Sequence, residues 1–192
     1  MPAATRPRMR LVSAVLIAAT ALALAACTST PERPVPANAP PVDLPRFMGT
    51  WHVVANVPYF FERGKVATRD VYRLREDGRI DNDFVFKKRF GEPDRTWNGI
   101  STVVDGSGGR EWKVQFIWPF STRLQVLEIN EDYTRALLAT PDRKLAWIFS
   151  RDPVVDDVEL NALKDRIATF GVDRAALERV PQIPEHLPPD QR

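Results

Sequence analysis

The chain of 192 residues predicts an all-β fold: an eight-stranded antiparallel up-and-down barrel with a C-terminal α-helix packed outside. Three observations carry that expectation. Between Gly49 and Arg151 the sequence divides into short segments whose side chains alternate in character, the period of a half-buried strand. Turn signals separate each segment from the next and no long crossover intervenes. Periodicity alone allows a sandwich or a barrel, and neighbour-to-neighbour hairpins favour the meander barrel. After Arg151 the apolar residues change to near-helical spacing.

The first segment runs from Gly49 to Val57. Simple alternation puts Trp51, Val53, Ala55 and Val57 on one face and His52, Val54 and Asn56 on the other. Pro58 ends it, and Tyr59, Phe60 and Phe61 then form either an aromatic lip or an outer-face cluster. A second strand carries Asp70, Tyr72 and Leu74 on one face and turns at Glu76-Asp77-Gly78 into a third, which places Ile80, Asn82, Phe84 and Phe86 together. Gly91-Glu92-Pro93-Asp94 leads to a fourth over Trp97–Val104, and Asp105 to Gly109 turns the chain into a fifth with Trp112, Val114 and Phe116. The sixth, seventh and eighth are expected at Leu124–Ile129, Arg135–Thr140 and Leu145–Arg151. Val158, Leu160, Leu163, Ile167 and Phe170 then mark one helix, capped by Asp156 or Asp157 and ended at Gly171.

Composition excludes several classes. The 27 basic residues include Arg6, Arg8 and Arg10; without those three, 24 remain against 25 acids, a net charge of −1 beyond residue 26. That balance gives no basic surface for nucleic acid. The three arginines, the apolar run from Leu11 to Ala26 and the small residues before Cys27 predict an export signal over residues 1–26. Six prolines between Thr28 and Pro45 predict an extended tether over residues 27–45, then a barrel-plus-helix domain over 46–182 and a tail over 183–192. With Cys27 as the one cysteine, no intrachain disulfide forms and no second thiol awaits a metal.

Gly49-x-Trp51, with Phe61-Glu62-Arg63-Gly64 behind it, resembles the first signature of the lipocalins in its bacterial outer-membrane form. Phe116 to Phe120 with Leu124 to Tyr133, and Trp147 to Arg151, resemble the family's second and third signatures, so the resemblance spans about Pro45 to Gln182. Leu24-Ala25-Ala26-Cys27 likewise resembles the bacterial lipobox, and Thr28 after it resembles outer-membrane sorting. The resemblance implies acylation at Cys27, an anchor in the outer membrane facing the periplasm, and a lumen that binds or transports a fatty acid or lysophospholipid for membrane lipid storage or maintenance. It also implies that Arg151 lies across Trp51 at the closed end, with Gly49 making room, as structural residues of the barrel base.

Strand phase and family together nominate Val53, Ala55, Tyr72, Phe84, Phe86, Gly99, Val114, Phe116, Leu124, Val126 and Glu128 as ligand-lining. Gly99, Ser101, Ala55 and Ala136, small among aromatics, favour an open lumen over a filled one. Asp70 and Glu128 are expected to face inward, where they could work as an acid–base pair or orient a polar head; otherwise they sit at the rim or pair with Arg73, Lys113 or Arg123. His52 and His186, the two histidines, suit neither a catalytic triad nor a metal site, so no catalytic residue, metal or cofactor is expected. The chain is read as a monomer or weak homodimer and not an enzyme. The alternatives are an envelope interaction module with a filled barrel and a lipocalin-like enzyme.

Overall fold

The structure is a computed structural model describing residues 32–36 and 38–191. The expected signal, Cys27 and the first residues of the expected tether lie outside the described residues. A short helix α1 (Leu44–Phe47) precedes eight strands: β1 (Gly49–Asn56), β2 (Val66–Leu74), β3 (Ile80–Lys87), β4 (Arg95–Val103), β5 (Glu111–Ile117), β6 (Phe120–Ile129), β7 (Arg135–Ala139) and β8 (Ala146–Ser150). Helix α2 (Asp157–Ala168) and a two-residue strand β9 (Glu178–Arg179) follow. From β1 to β8 each strand pairs antiparallel with its sequence neighbour, and β1 pairs with both β2 and β8, closing the barrel.

Local chemistry explains where these elements begin and end. The Asp43 carboxylate accepts from Arg46 N and caps α1; Asp156 does the same for α2 through Glu159 N. The sixth strand begins four residues earlier than its apolar pattern, because Ile117 pairs with Phe120 across the tight turn at Trp118-Pro119. Pairing of β1 with β2 stops at His52–Arg69, which leaves the rest of β1 needing partners. The C-terminal segment supplies them: β9 pairs with Ala55 and Asn56, Val180 N donates to Val54 O, and Gln182 Nε2 donates to Val53 O at 2.7 Å and Thr68 O at 3.0 Å.

Two apolar clusters result. An inner one, which includes Phe47, Trp51, Tyr72, Trp112, Val126, Leu138 and Phe149, fills the barrel around α1. An outer one joins Val54, Ala55, Leu127, Leu137 and Ile148 to Leu160 and Ile167 of α2. Irregular pairing between Val53 and Ala55 in β1, and between Val126 and Glu128 in β6, marks where extra residues interrupt the alternation. Beyond each bulge the side chains change face. Ala55 therefore pairs with Ile148 under the helix, and Glu128 pairs with Leu137 and turns outward, contrary to simple alternation.

The proline-rich stretch is no free tether where it is described. Arg33 N donates to Pro141 O at 2.8 Å, Gln125 Nε2 donates to Arg33 O, and Arg110 Nε donates to Pro40 O at 2.7 Å. Composition favours an extended chain, and an extended chain with unpaired carbonyls is also one that side chains of the barrel can hold.

Candidate functional site

Trp51 is fully buried at the closed end, its Nε1 donating to Phe47 O at 2.7 Å. The Arg151 guanidinium carbon lies 3.7 Å from the centre of the Trp51 ring. Its nitrogens donate to the carbonyls of Arg46, Phe47, Met48, Thr50 and Tyr133 at 2.7–3.2 Å. Those carbonyls belong to α1, to the start of β1 and to the β6–β7 turn, so a single cation ties three chain segments over the indole. A Cβ at Gly49 would meet Arg151 Nη1 at 3.3 Å, and the residue has φ +94°, a backbone region that suits glycine.

Above this base the barrel is hollow. A cavity of about 500 Å³ is walled by Tyr72 and Phe149, by the loop after β1, by Thr96, Trp97 and Asn98 of β4, by the β5–β6 hairpin and by Leu145 before β8. That volume is within the range of small-ligand sites. Of the residues nominated from sequence, Tyr72, Phe84, Val114, Phe116 and Leu124 line it. Val53 and Val126 are buried in the inner cluster below, and Phe86 stacks on Phe84 with ring centroids 5.4 Å apart. Ala55 lies in the outer cluster. Gly99 leaves no empty space: a Cβ there would come within 2.8 Å of the Phe116 ring, so glycine admits that ring against the sheet. Glu128 is outside the barrel, ion-paired with Arg166 of α2.

Simple alternation misses part of the wall. Leu145, Trp147 and Phe149 come from β8 and the turn before it, and Ile117 and Phe120 from the end of β5 and the start of β6. The chief omission is Glu62, in the loop between β1 and β2. Its carboxylate accepts from Asn56 Nδ2 at 2.6 Å and from Trp147 Nε1 at 3.0 and 3.2 Å. Burial outweighs these donors and pushes its pKa up to about 7. The aromatic run before it gave no hint that the loop folds inward; the signal available was an acid in the middle of an otherwise apolar and basic segment.

Asp70 does face inward and is 7% exposed. No described residue donates a hydrogen bond to its carboxyl, which burial first and the Glu62 charge second hold well above the usual carboxylate range. Tyr72 and Asn82 lie beside it on the wall: Tyr72 is two residues along the same strand, and Asn82 is its partner across β2–β3. The Asn82 Oδ1 is buried and receives no hydrogen bond. Around the mouth Phe60, Ile117, Trp118 and Phe120 are exposed. Neither His52 nor His186 borders the cavity, and among the described residues no cluster of acids, histidines or cysteines could hold a metal.

A family profile described as a lipocalin-like domain matches residues 42–182. The outer membrane lipoprotein Blc of Escherichia coli K12 is 34% identical over 154 residues, covering 78% of this chain and 84% of that protein. Its namesake from Vibrio cholerae is 29% identical over 173 residues, covering 88% and 98%. Among solved structures, insecticyanin from the tobacco hornworm Manduca sexta superposes with a TM-score of 0.59 at 18% identity, over 81% of this chain and 87% of that one.

Proposed function

The chain belongs to the lipocalin-like family, and from that premise we propose that it is an envelope lipoprotein carrying the tail of a single-chain lipid, a fatty acid or lysophospholipid, in the upper half of its barrel. The observation that carries this reading is the cavity of about 500 Å³ walled by Phe84, Val114, Phe116 and Leu124. Burying a dozen methylenes there yields on the order of 10 kcal/mol. Association costs at least about 4 kcal/mol of that. The remainder corresponds to a dissociation constant of tens of micromolar, on which contacts to the lipid head improve.

The exposed Phe60, Ile117, Trp118 and Phe120 support exchange with a lipid surface, because an apolar rim lets a chain slide in without crossing water. Blc from E. coli and V. cholerae are named outer membrane lipoproteins. The same address is proposed here: acylation at Cys27, the barrel facing the periplasm, and a role in storing or maintaining membrane lipid. Binding without chemistry is the reading, since Glu62 and Asp70 have no histidine beside them among the described residues of the cavity wall.

Titrating the full chain with a fluorescent fatty acid and a fluorescent lysophospholipid tests the proposal. Saturable binding is expected, competed by the unlabelled lipid and abolished by Leu124→Trp, which fills the lumen. A signal that never saturates, or one indifferent to Leu124→Trp in a folded variant, removes the carrier reading.

A further inference from the structure

Thr96 and Asn98 of β4 and Ser121 and Thr122 of β6 give the cavity wall neutral polar groups, and its carboxyls, Glu62 and Asp70, come from the β1–β2 loop and β2. Glu62 is held between Asn56 of β1 and Trp147 of β8, Asp70 is on β2, and Asn82 is opposite Tyr72. The apolar Phe84, Phe116 and Leu124 come from β3, β5 and β6. Such a wall suits an amphiphile lying with its head against β1, β2 and β8 and its tail against the aromatics. What the wall lacks is as telling: no lysine, arginine or histidine is among the described lining residues. Lys65, whose charge reaches Glu62, donates to Phe61 O and sits 4.7 Å from the ring centres of both Phe86 and Trp97. Lys65 itself is not among the residues that line the cavity.

Two carboxyls and the undonated Asn82 Oδ1 line a wall that carries no positive charge among its described residues. From this juxtaposition we infer that Glu62, Asp70 and Asn82 form a recognition site for a primary ammonium group, and that the ligand is a single-chain amphiphile with that group at its head.

A primary ammonium brings three N–H donors and one positive charge. A quaternary ammonium brings the charge without donors, a hydroxyl brings one donor without charge, and a carboxylate brings the same sign as the wall. Burial first and the Glu62 charge second push the Asp70 carboxyl well above the usual carboxylate range, with the Tyr59 and Tyr72 phenols beside it and Lys65 behind Glu62. An arriving ammonium opposes both effects and stabilises the Asp70 carboxylate.

The inference rests on the carrier reading but fails separately from it. The full chain is titrated with dodecylamine, dodecanol, dodecyltrimethylammonium and dodecanoate, following emission of Trp97 and Trp147, both in the cavity wall. Dodecylamine is expected to bind at least about tenfold more tightly than dodecanol, the size of a charged hydrogen bond. Dodecyltrimethylammonium is expected to fall short of the amine, and dodecanoate to bind weakest at pH 8. Asp70→Asn and Glu62→Gln, checked for intact folding by thermal melting, should each shrink the amine-to-alcohol ratio several-fold. Equal binding of amine and alcohol, a preference for dodecanoate, or a ratio unmoved in both variants overturns the ammonium site while leaving the carrier in place. Failure of all four to bind overturns both.

Discussion

At the closed end of the barrel Phe47, Trp51, Tyr72 and Trp112 meet with ring centroids 5.1–5.7 Å apart; at the open end Phe84 and Phe116 face about 500 Å³ of space. Both ends are rich in aromatic rings, so ring content does not decide which half is full. The difference is a plug. Phe47 arrives from α1, outside the strand sequence, and its backbone is fixed by Arg151 and by the Trp51 indole. No described element enters the mouth in the same way, and the loop after β1 contributes a carboxylate where a filler would have been apolar. A barrel of this size is filled or hollow according to what its flanking segments insert.

The largest effect that would test this contrast is truncation at the base. Trp51→Ala removes a fully buried indole whose neighbours are tied to it, and is expected to cost about 4 kcal/mol. Phe84→Ala at the mouth should cost only about 2 kcal/mol, because that ring already borders empty space and forfeits fewer contacts. Paired urea denaturation curves measure both, and equal losses would mean the two halves are packed alike.

Next in size is a pH effect confined to the hollow half. A carboxyl with a higher pKa folded than unfolded holds its proton more tightly in the native state, so Glu62 makes stability fall as pH rises from about 4.5 through about 7 and level off above. Asp70 adds a slope of the same sign. Glu62→Gln should therefore flatten part of the decline between pH 5 and pH 8, gaining on the order of 2 kcal/mol at the upper end. Unchanged slopes in urea midpoints across that window would show Glu62 to be ionised and well solvated.

The smallest effect belongs to the outer surface. Glu128→Ala breaks a solvent-facing pair with Arg166 and should cost less than about 1 kcal/mol, with no change in lipid affinity. A loss of binding in that variant would put Glu128 back in contact with the lumen and discredit the bulge in β6 as the reason for its position.

Much of the barrel was legible in the chain itself. The turns at Glu76-Asp77-Gly78 and Asp105 to Gly109, the eight alternating segments and the helix begun at Asp156 follow from local rules of turn, strand and cap. Tyr72 and Phe84 line the cavity because β2 and β3 pair without a shift from Arg69 to Leu74, and Leu124 because it precedes the bulge in β6, so counting positions works there. It fails at Ala55 and Glu128, since each follows a bulge and one extra residue reverses every side chain after it. A bulge is set by how two strands settle against each other, and neither strand encodes it alone.

Pattern and composition by themselves determined the class of fold, the order of its strands and the greasy character of their inner faces, because those depend on neighbours in the chain. Assembly in three dimensions decided the rest. It seated Phe47 beneath Trp51, tied Arg33 and Pro40 to the barrel, and turned the Glu62 loop inward until its carboxylate met Asn56 and Trp147. Each of these joins parts of the chain whose meeting depends on closure of the sheet, and it is closure that leaves one end full and the other open.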